Sequence, residues 1–217
     1  MATEITDAIR QQLAKAAEQE KPLTVTTYTF LADAQAFTDK LLDEFLKDNH
    51  LEHLYDALSY CIRELAVNAK KANTKRIYFE EKSLNPHNHD DYLQGMKEFK
   101  ETMLQRQDYY LKKLKEKNYF IKIEFLRWQN YASFAVKNNV EILPEEAARV
   151  KEKIQKSQQY ESLEEAFVDV MDDEEGAGLG LMILMIMMRS SGVRGDFLHI
   201  YPKNGETVAR IIVPLTQ

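Results

Sequence analysis

Two stretches of this chain alternate apolar and polar residues and are split by short turns: 119–139, "YFIKIEFLRWQNYASFAVKNN", and 196–215, "DFLHIYPKNGETVARIIVPL". Period-two alternation places one set of side chains on a buried face, and a short polar break between two such runs reads as a hairpin. The turns are expected at Gln129–Asn130 and at Lys203–Gly205. Two hairpins commit the chain to a largely antiparallel sheet with one apolar face. The remaining segments must therefore supply a layer to cover that face.

Most of the remaining segments read as helices. Residues 1–20 are rich in Ala, Gln, Glu and Lys and stop near Pro22. "LTVTTYTFL" (23–31) is dense in β-branched and aromatic residues and reads as a strand. Asp33 is placed to cap the helix "AQAFTDKLLDEFLKD" (34–48). From about Leu51 to Ala72, apolar residues at Leu54, Leu58, Cys61, Leu65 and Ala69 repeat at helical spacing, and "KRIYFEE" (75–81) reads as the next strand. Residues 82–118 differ in character: a polar loop "NPHNHDD" leads into one charged amphipathic helix, read as an insertion between two strands. Pro144 opens a helix whose acidic first turn suits the helix dipole, and "SLEEAFVDVM" (162–171) is a short second one. The expected fold class is α/β, a two-layer sandwich of a mixed, mostly antiparallel sheet packed on helices, with a helical insertion at about 82–118. An N-terminal helical extension (1–22) would precede a single domain (23–217).

Composition narrows the function classes. A net charge of −6 lacks the basic face that a general nucleic-acid binder needs, so no nucleic-acid partner is expected. One cysteine, Cys61, excludes an internal disulfide and a multi-cysteine metal site, and fits a reducing cytoplasm. The opening residues lack the apolar run of a secretory signal. The longest apolar stretch, Leu179 to Met188, falls far short of the roughly 20 residues that cross a bilayer, so it is expected as a buried helix and no membrane partner is expected. His50 and His53 flank Glu52 without a fourth ligand, and "HNHD" (87–90) reads as a polar loop.

Two motifs carry chemistry. Gly176, Gly178 and Gly180 fall within five positions of "EEGAGLGLMILMIMM" (174–188). Glycines admit close approach of a ligand to the backbone, and a helix starting beside them aims free N–H groups at the same spot. That suits an anion; a flexible turn ahead of a core helix is the plainer reading. The run fails the dinucleotide fingerprint, and no phosphate-loop lysine follows it. Upstream, "RELAVNAKKAN" (63–73) places Glu64, Asn68 and Lys71 at i, i+4 and i+7, on one stripe covering roughly a sixth of the helix circumference. A carboxylate, an amide oxygen and an ammonium there can position a water, ligate a hard cation and contact a phosphate. A Glu–Lys surface pair with a satisfied Asn is the plainer reading.

Together the two motifs resemble the GHKL superfamily of ATPases, which includes gyrase, the heat-shock ATPase, histidine kinases and the mismatch-repair ATPase. "ELAVNAKKA" is similar to the N box of the histidine-kinase branch, E-L-x-x-N-A-x-K-A/H, and "GAGLGL" to the second glycine box, G-x-G-L-G-L. The closing hairpin resembles the end of kinase ATP-binding domains. The likeness covers roughly 23–81 and 119–217. It implies a Bergerat-type ATP-binding fold with ATP and Mg²⁺ as ligands. Asn68 would be the Mg²⁺ ligand, Glu64 would orient the group attacking the γ-phosphate, and Lys71 would help neutralise phosphate. Gly176, Gly178 and Gly180 would close over the phosphates.

The pattern breaks at the first glycine box, because no glycine lies between Gly95 and Gly176. The aspartate of that box accepts a hydrogen bond from the adenine amino group; Asn138 is the best substitute and Asn139 the next, although both also suit a strand ending in a turn. None of the five histidines sits in a phosphoacceptor context, so any acceptor lies on another protein, such as a response regulator or a sigma-factor regulator. The function expected is a Mg-ATP-binding ATPase or kinase domain of bacterial signalling. The alternative is a non-catalytic nucleotide-binding or protein-interaction module. The insertion aromatics Phe99, Tyr109 and Tyr110 either pack on the sheet edge or offer a surface to a partner or a second copy forming a homodimer, with core packing the preferred reading.

Overall fold

The computed structural model describes residues 2–160, 162–170 and 179–215. Helix α1 (Ala2–Glu18) leads to strand β1 (Leu23–Thr27), helix α2 (Ala32–Asp48), a single 3-10 turn (Glu52–Leu54) and the long helix α3 (Tyr55–Glu81). Helices α4 (His89–Gln105) and α5 (Gln107–Glu116) follow, then the hairpin β2 (Ile121–Trp128) and β3 (Tyr131–Asn138). Helices α6 (Pro144–Ser157), α7 (Leu163–Val170) and α8 (Leu179–Ser190) precede the last hairpin, β4 (Leu198–Lys203) and β5 (Glu206–Pro214).

The strands form one sheet in the order β1-β2-β3-β5-β4, and every pairing in it is antiparallel. The expected mixed character is thus absent among the described residues. Both hairpins turn where the sequence placed them: Gln129 and Asn204 adopt left-handed backbone, as does Gly205. Register puts Ile121, Ile123 and Phe125 of β2 opposite Asn138, Val136 and Phe134 of β3, on the face covered by helices. Phe45 of α2 meets Phe125 and Phe134 there, with ring centroids 5.8 and 5.3 Å away. The main core joins this face to α1, α2, α3 and α8. Helix α1 contributes Ile9 and Leu13 to it, and Arg10 Nε donates to the buried Glu44 carboxylate at 2.6 Å. The N-terminal segment therefore shares the core of the sandwich.

Several sequence expectations give way to tertiary packing. Residues 75–81 are not a strand but the last two turns of α3. Ile77, Tyr78 and Phe79 are consecutive and all buried, since α4, α5 and Leu143 wrap this end of the helix. Burial around most of the circumference erases the one-sided period that marks a helix. The insertion consequently follows a helix rather than a strand. It is two helices, broken at Arg106, where φ is −121° and ψ is 36°. Its aromatics Phe99 and Tyr110 pack on the end of α3, not on the sheet edge, and Tyr109 lies partly buried against the same cluster. β1 ends at Thr27, because the chain turns at Phe30 with φ 48° and buries that ring. Asp33 does not cap α2: the cap is Leu31, with no side-chain hydrogen bond, and Asp33 lies in the first turn.

Helix α8 answers the question of the long apolar run. Leu181, Leu184, Met185 and Met188 enter the main core, while Met182 and Ile186 face Tyr160 and Ala166 on the other side. A helix buried on two sides is apolar all round. Among the described residues no helix is long and apolar enough to cross a membrane.

Candidate functional site

The 27 residues of α3 place chemistry at the edge of its core face. Cys61, Leu65 and Ala69 point inward; Glu64 is half-buried at the border, and Asn68 and Lys71 are exposed. Asn68 Nδ2 donates to Glu64 Oε1 at 2.9 Å. This bond uses the donor end of the amide and holds the carboxylate, leaving Asn68 Oδ1 without a hydrogen bond among the described residues. Lys71 likewise has no acceptor among them. An amide oxygen beside a carboxylate is a donor set that a hard cation such as Mg²⁺ accepts.

The first turn of α8 meets this stripe. A Cβ built on Gly180 would run into both the Oε1 and the Cδ of Glu64. The backbone of the glycine segment and the carboxylate of the upstream helix, 116 positions apart in sequence by the numbering 180 against 64, are therefore in direct contact. The start of an α-helix offers backbone N–H groups that no residue of the helix itself satisfies, and these favour negative charge. The structure thus brings Glu64, Asn68 and Gly180 together, with Lys71 on the same face of α3. Gly176 and Gly178 lie outside the described residues.

Asn138 is placed elsewhere. It is 3% exposed, and its Nδ2 donates to Asn73 Oδ1 at 3.0 Å and to the Val140 carbonyl at 3.3 Å. Asn73, fully buried, donates in turn to the Phe120 carbonyl at 3.1 Å, and Thr207 Oγ1 reaches the same Val140 carbonyl at 2.6 Å. Asn139 accepts from the Phe120 N–H at 2.8 Å and donates to the Asn118 carbonyl at 2.9 Å. Both asparagines fasten the end of the β2–β3 hairpin: Asn138 ties it to α3, and Asn139 ties β3 to the chain entering β2.

Two neighbours escaped sequence reasoning. Tyr60, one turn before Glu64, is partly buried, and its phenol pKa is raised by burial and then by the Glu64 charge. The i−4 spacing from Glu64 was the available signal. Lys70 is partly buried on the opposite border of the core face; burial, then the Lys71 charge, lowers its pKa. The Lys–Lys doublet was visible in sequence, but which ammonium would be desolvated depends on what packs beside each. Among the described residues, no group of three or more His, Cys, Asp or Glu side chains is gathered to hold a metal ion.

No family model matches the chain, and no solved structure matches it. It is 37% identical over 204 residues to an uncharacterized protein of Treponema pallidum (strain Nichols). That alignment takes in 94% of this chain but 40% of the relative, so the chain spans about two fifths of the relative's length.

Proposed function

We propose that the Glu64–Asn68–Lys71 stripe and the start of α8 form the phosphate end of a Mg-ATP site in a histidine-kinase-like, GHKL-type domain with a Bergerat-type fold. On this reading the domain works in the cytoplasm of a bacterial signalling system. It phosphorylates a partner protein, such as a response regulator or a sigma-factor regulator, or hydrolyses ATP. The observation that carries the proposal is the contact between Gly180 and Glu64. It joins the two sequence motifs at one place and leaves room there for backbone only.

Each residue has a distinct task. Asn68 Oδ1 is a neutral ligand for Mg²⁺, and its own Nδ2 keeps Glu64 oriented. Glu64 accepts a proton from, or aligns, the group that attacks the terminal phosphate. Lys71, whose ammonium has no acceptor among the described residues, meets phosphate oxygens, and Gly176 and Gly178 would close over the phosphates. When bound, Mg²⁺ neutralises phosphate charge, the larger part of what phosphoryl transfer asks of a protein. The deep burial of Asn138 favours a second reading, a module that binds nucleotide without turning it over.

Calorimetric titration of ATP with and without Mg²⁺ tests the proposal. Wild type should bind only with Mg²⁺, and Asn68→Ala should weaken binding at least tenfold. Glu64→Gln should retain binding and lose turnover or transfer. Absence of binding to wild type with Mg²⁺ present would overturn the reading, and binding without turnover by wild type would favour the second one.

A further inference from the structure

We infer that the uncovered face of the sheet is a dimer interface, seating the same face of a second copy of this chain about a two-fold axis along β3. Among the described residues, every sheet side chain that shares a hydrophobic cluster with a helix lies on the other face, as Ile123, Phe134 and Ile211 do. Alternation turns the remaining set away from the helices. That set includes Ala135 and Val208, which are 2% and 1% exposed yet belong to none of those clusters. It also includes Trp128 and Tyr131, opposite each other at the hairpin tip and 51% and 44% exposed. Exposed Pro214 stands beside Tyr131. Large apolar side chains gathered in the open mark a contact surface.

Register shows why the occupant is a second copy. β2 and β5 flank β3, and three rows of this face cross all three strands: Trp128–Tyr131–Pro214, Leu126–Ser133–Ile212 and Glu124–Ala135–Arg210. A two-fold axis along β3 exchanges the β2 and β5 columns. Trp128 then faces the partner's Pro214, Leu126 the partner's Ile212, and Glu124 the partner's Arg210. Ser133 and Ala135 stand on the axis, where small side chains let two sheets approach. Such a patch is complementary to itself, which an isologous interface requires.

The charges fit the same operation. Arg210 Nε is buried with no hydrogen-bond partner among the described residues. Glu124 gives Oε1 to Lys137 at 2.6 Å, leaving Oε2 without a hydrogen bond among them. A donor short of an acceptor and an acceptor short of a donor thus face each other across the axis. Lys137 meets its own copy there, but its own Glu124 neutralises it, in a pair 19% and 12% exposed. Lys122 pairs with Glu206 at 3.4 Å. A face holding both signs does not suit nucleic acid or an anionic membrane, which select positive charge. The five strands and the eight residues of β3 give the face about 19 by 26 Å, or roughly 500 Å² in projection. Stable dimers bury about 800 Å² of accessible surface per partner, which a corrugated face of this extent approaches, so a micromolar dimer is expected.

Sedimentation equilibrium on the full chain, from about 1 to about 200 μM, should show monomer and dimer exchanging within that range. Trp128 is the chain's one tryptophan, so its emission reports on this face and should shift to the blue as dimer forms. Glu124→Arg and Arg210→Glu should each weaken self-association at least about tenfold, since each sets like charges across the axis. Mixed in equal amounts, the two variants should associate within about threefold of wild type, because both cross-axis pairs regain opposite charge. Tyr131→Ser, at an exposed position, should weaken the dimer by about tenfold without disturbing the fold. A wild type that stays monomeric at about 200 μM would overturn the inference and leave the face to a different protein. A dimer with unshifted Trp128 emission would overturn it too, as would a mixture that associates no better than the separate variants.

Discussion

Gly180 occupies the first turn of a helix in which alanine would be preferred, since Ala exceeds Gly in helix propensity by about 1 kcal/mol. The reason for glycine lies outside the helix, in the Glu64 carboxylate that fills the space of a Cβ. Because that neighbour is the end of a flexible side chain, Gly180→Ala should displace Glu64 rather than unfold α8. The expected cost is about 1–2 kcal/mol, typical of modest overpacking. In a Glu64→Ala background the same substitution should be neutral, or stabilising by up to about 1 kcal/mol as propensity reasserts itself. Urea midpoints of the four proteins of this double-mutant cycle measure the coupling; equal costs in both backgrounds would show that Glu64 is not what excludes the side chain. "GAGLGL" made the glycines legible, but only the packing of α8 on α3 shows why the third one is needed.

At the level of elements, α3 serves three masters. Its first half covers the sheet, its border carries the candidate site, and its last two turns form the core of the inserted helices. Gly95 of α4 lies against the Phe79 ring, whose Cζ would be 2.5 Å from an added Cβ. Phe79 is 0% exposed and packs between Tyr78 and Tyr92, so the ring cannot swing aside as Glu64 can. Gly95→Ala should therefore cost about 1–3 kcal/mol and loosen α4 from α3. Hydrogen exchange should show lost protection in α4 and α5 ahead of the sheet; unchanged protection there would refute this account of the docking. Glu80 anchors the far end of the same helix. Burial opposes its ionisation, but hydrogen bonds from Lys117 and Tyr119 prevail and hold its pKa below the usual carboxylate value. The "KRIYFEE" segment was misread as a strand because β-branched and aromatic residues mark both a strand and a helix buried on several sides.

Over the whole molecule, one buried thiol ties stability to pH. Cys61 is 0% exposed in the main core, and burial raises its pKa well above the ordinary thiol value. The folded state thus holds the proton more tightly than the unfolded chain does. That contribution is complete below the unfolded pKa of about 8.5 and declines as pH rises past it. Urea midpoints should fall between about pH 8 and about pH 9.5, and Cys61→Ala should fall less steeply over that window; parallel slopes would assign the decline to other groups. The sequence by itself determined both hairpins and their turns, the helical layer over them, and the stripe on α3, since each depends on residues close together in the chain. Tertiary structure decided what depends on distant neighbours. The inserted helices made residues 75–81 helical, and the α3–α8 contact brought Gly180 to Glu64. The bonds from Asn138 to Asn73 and Val140 drew that asparagine into the core, because a buried amide is held by hydrogen bonds wherever partners stand, and spacing along the chain does not reveal those partners.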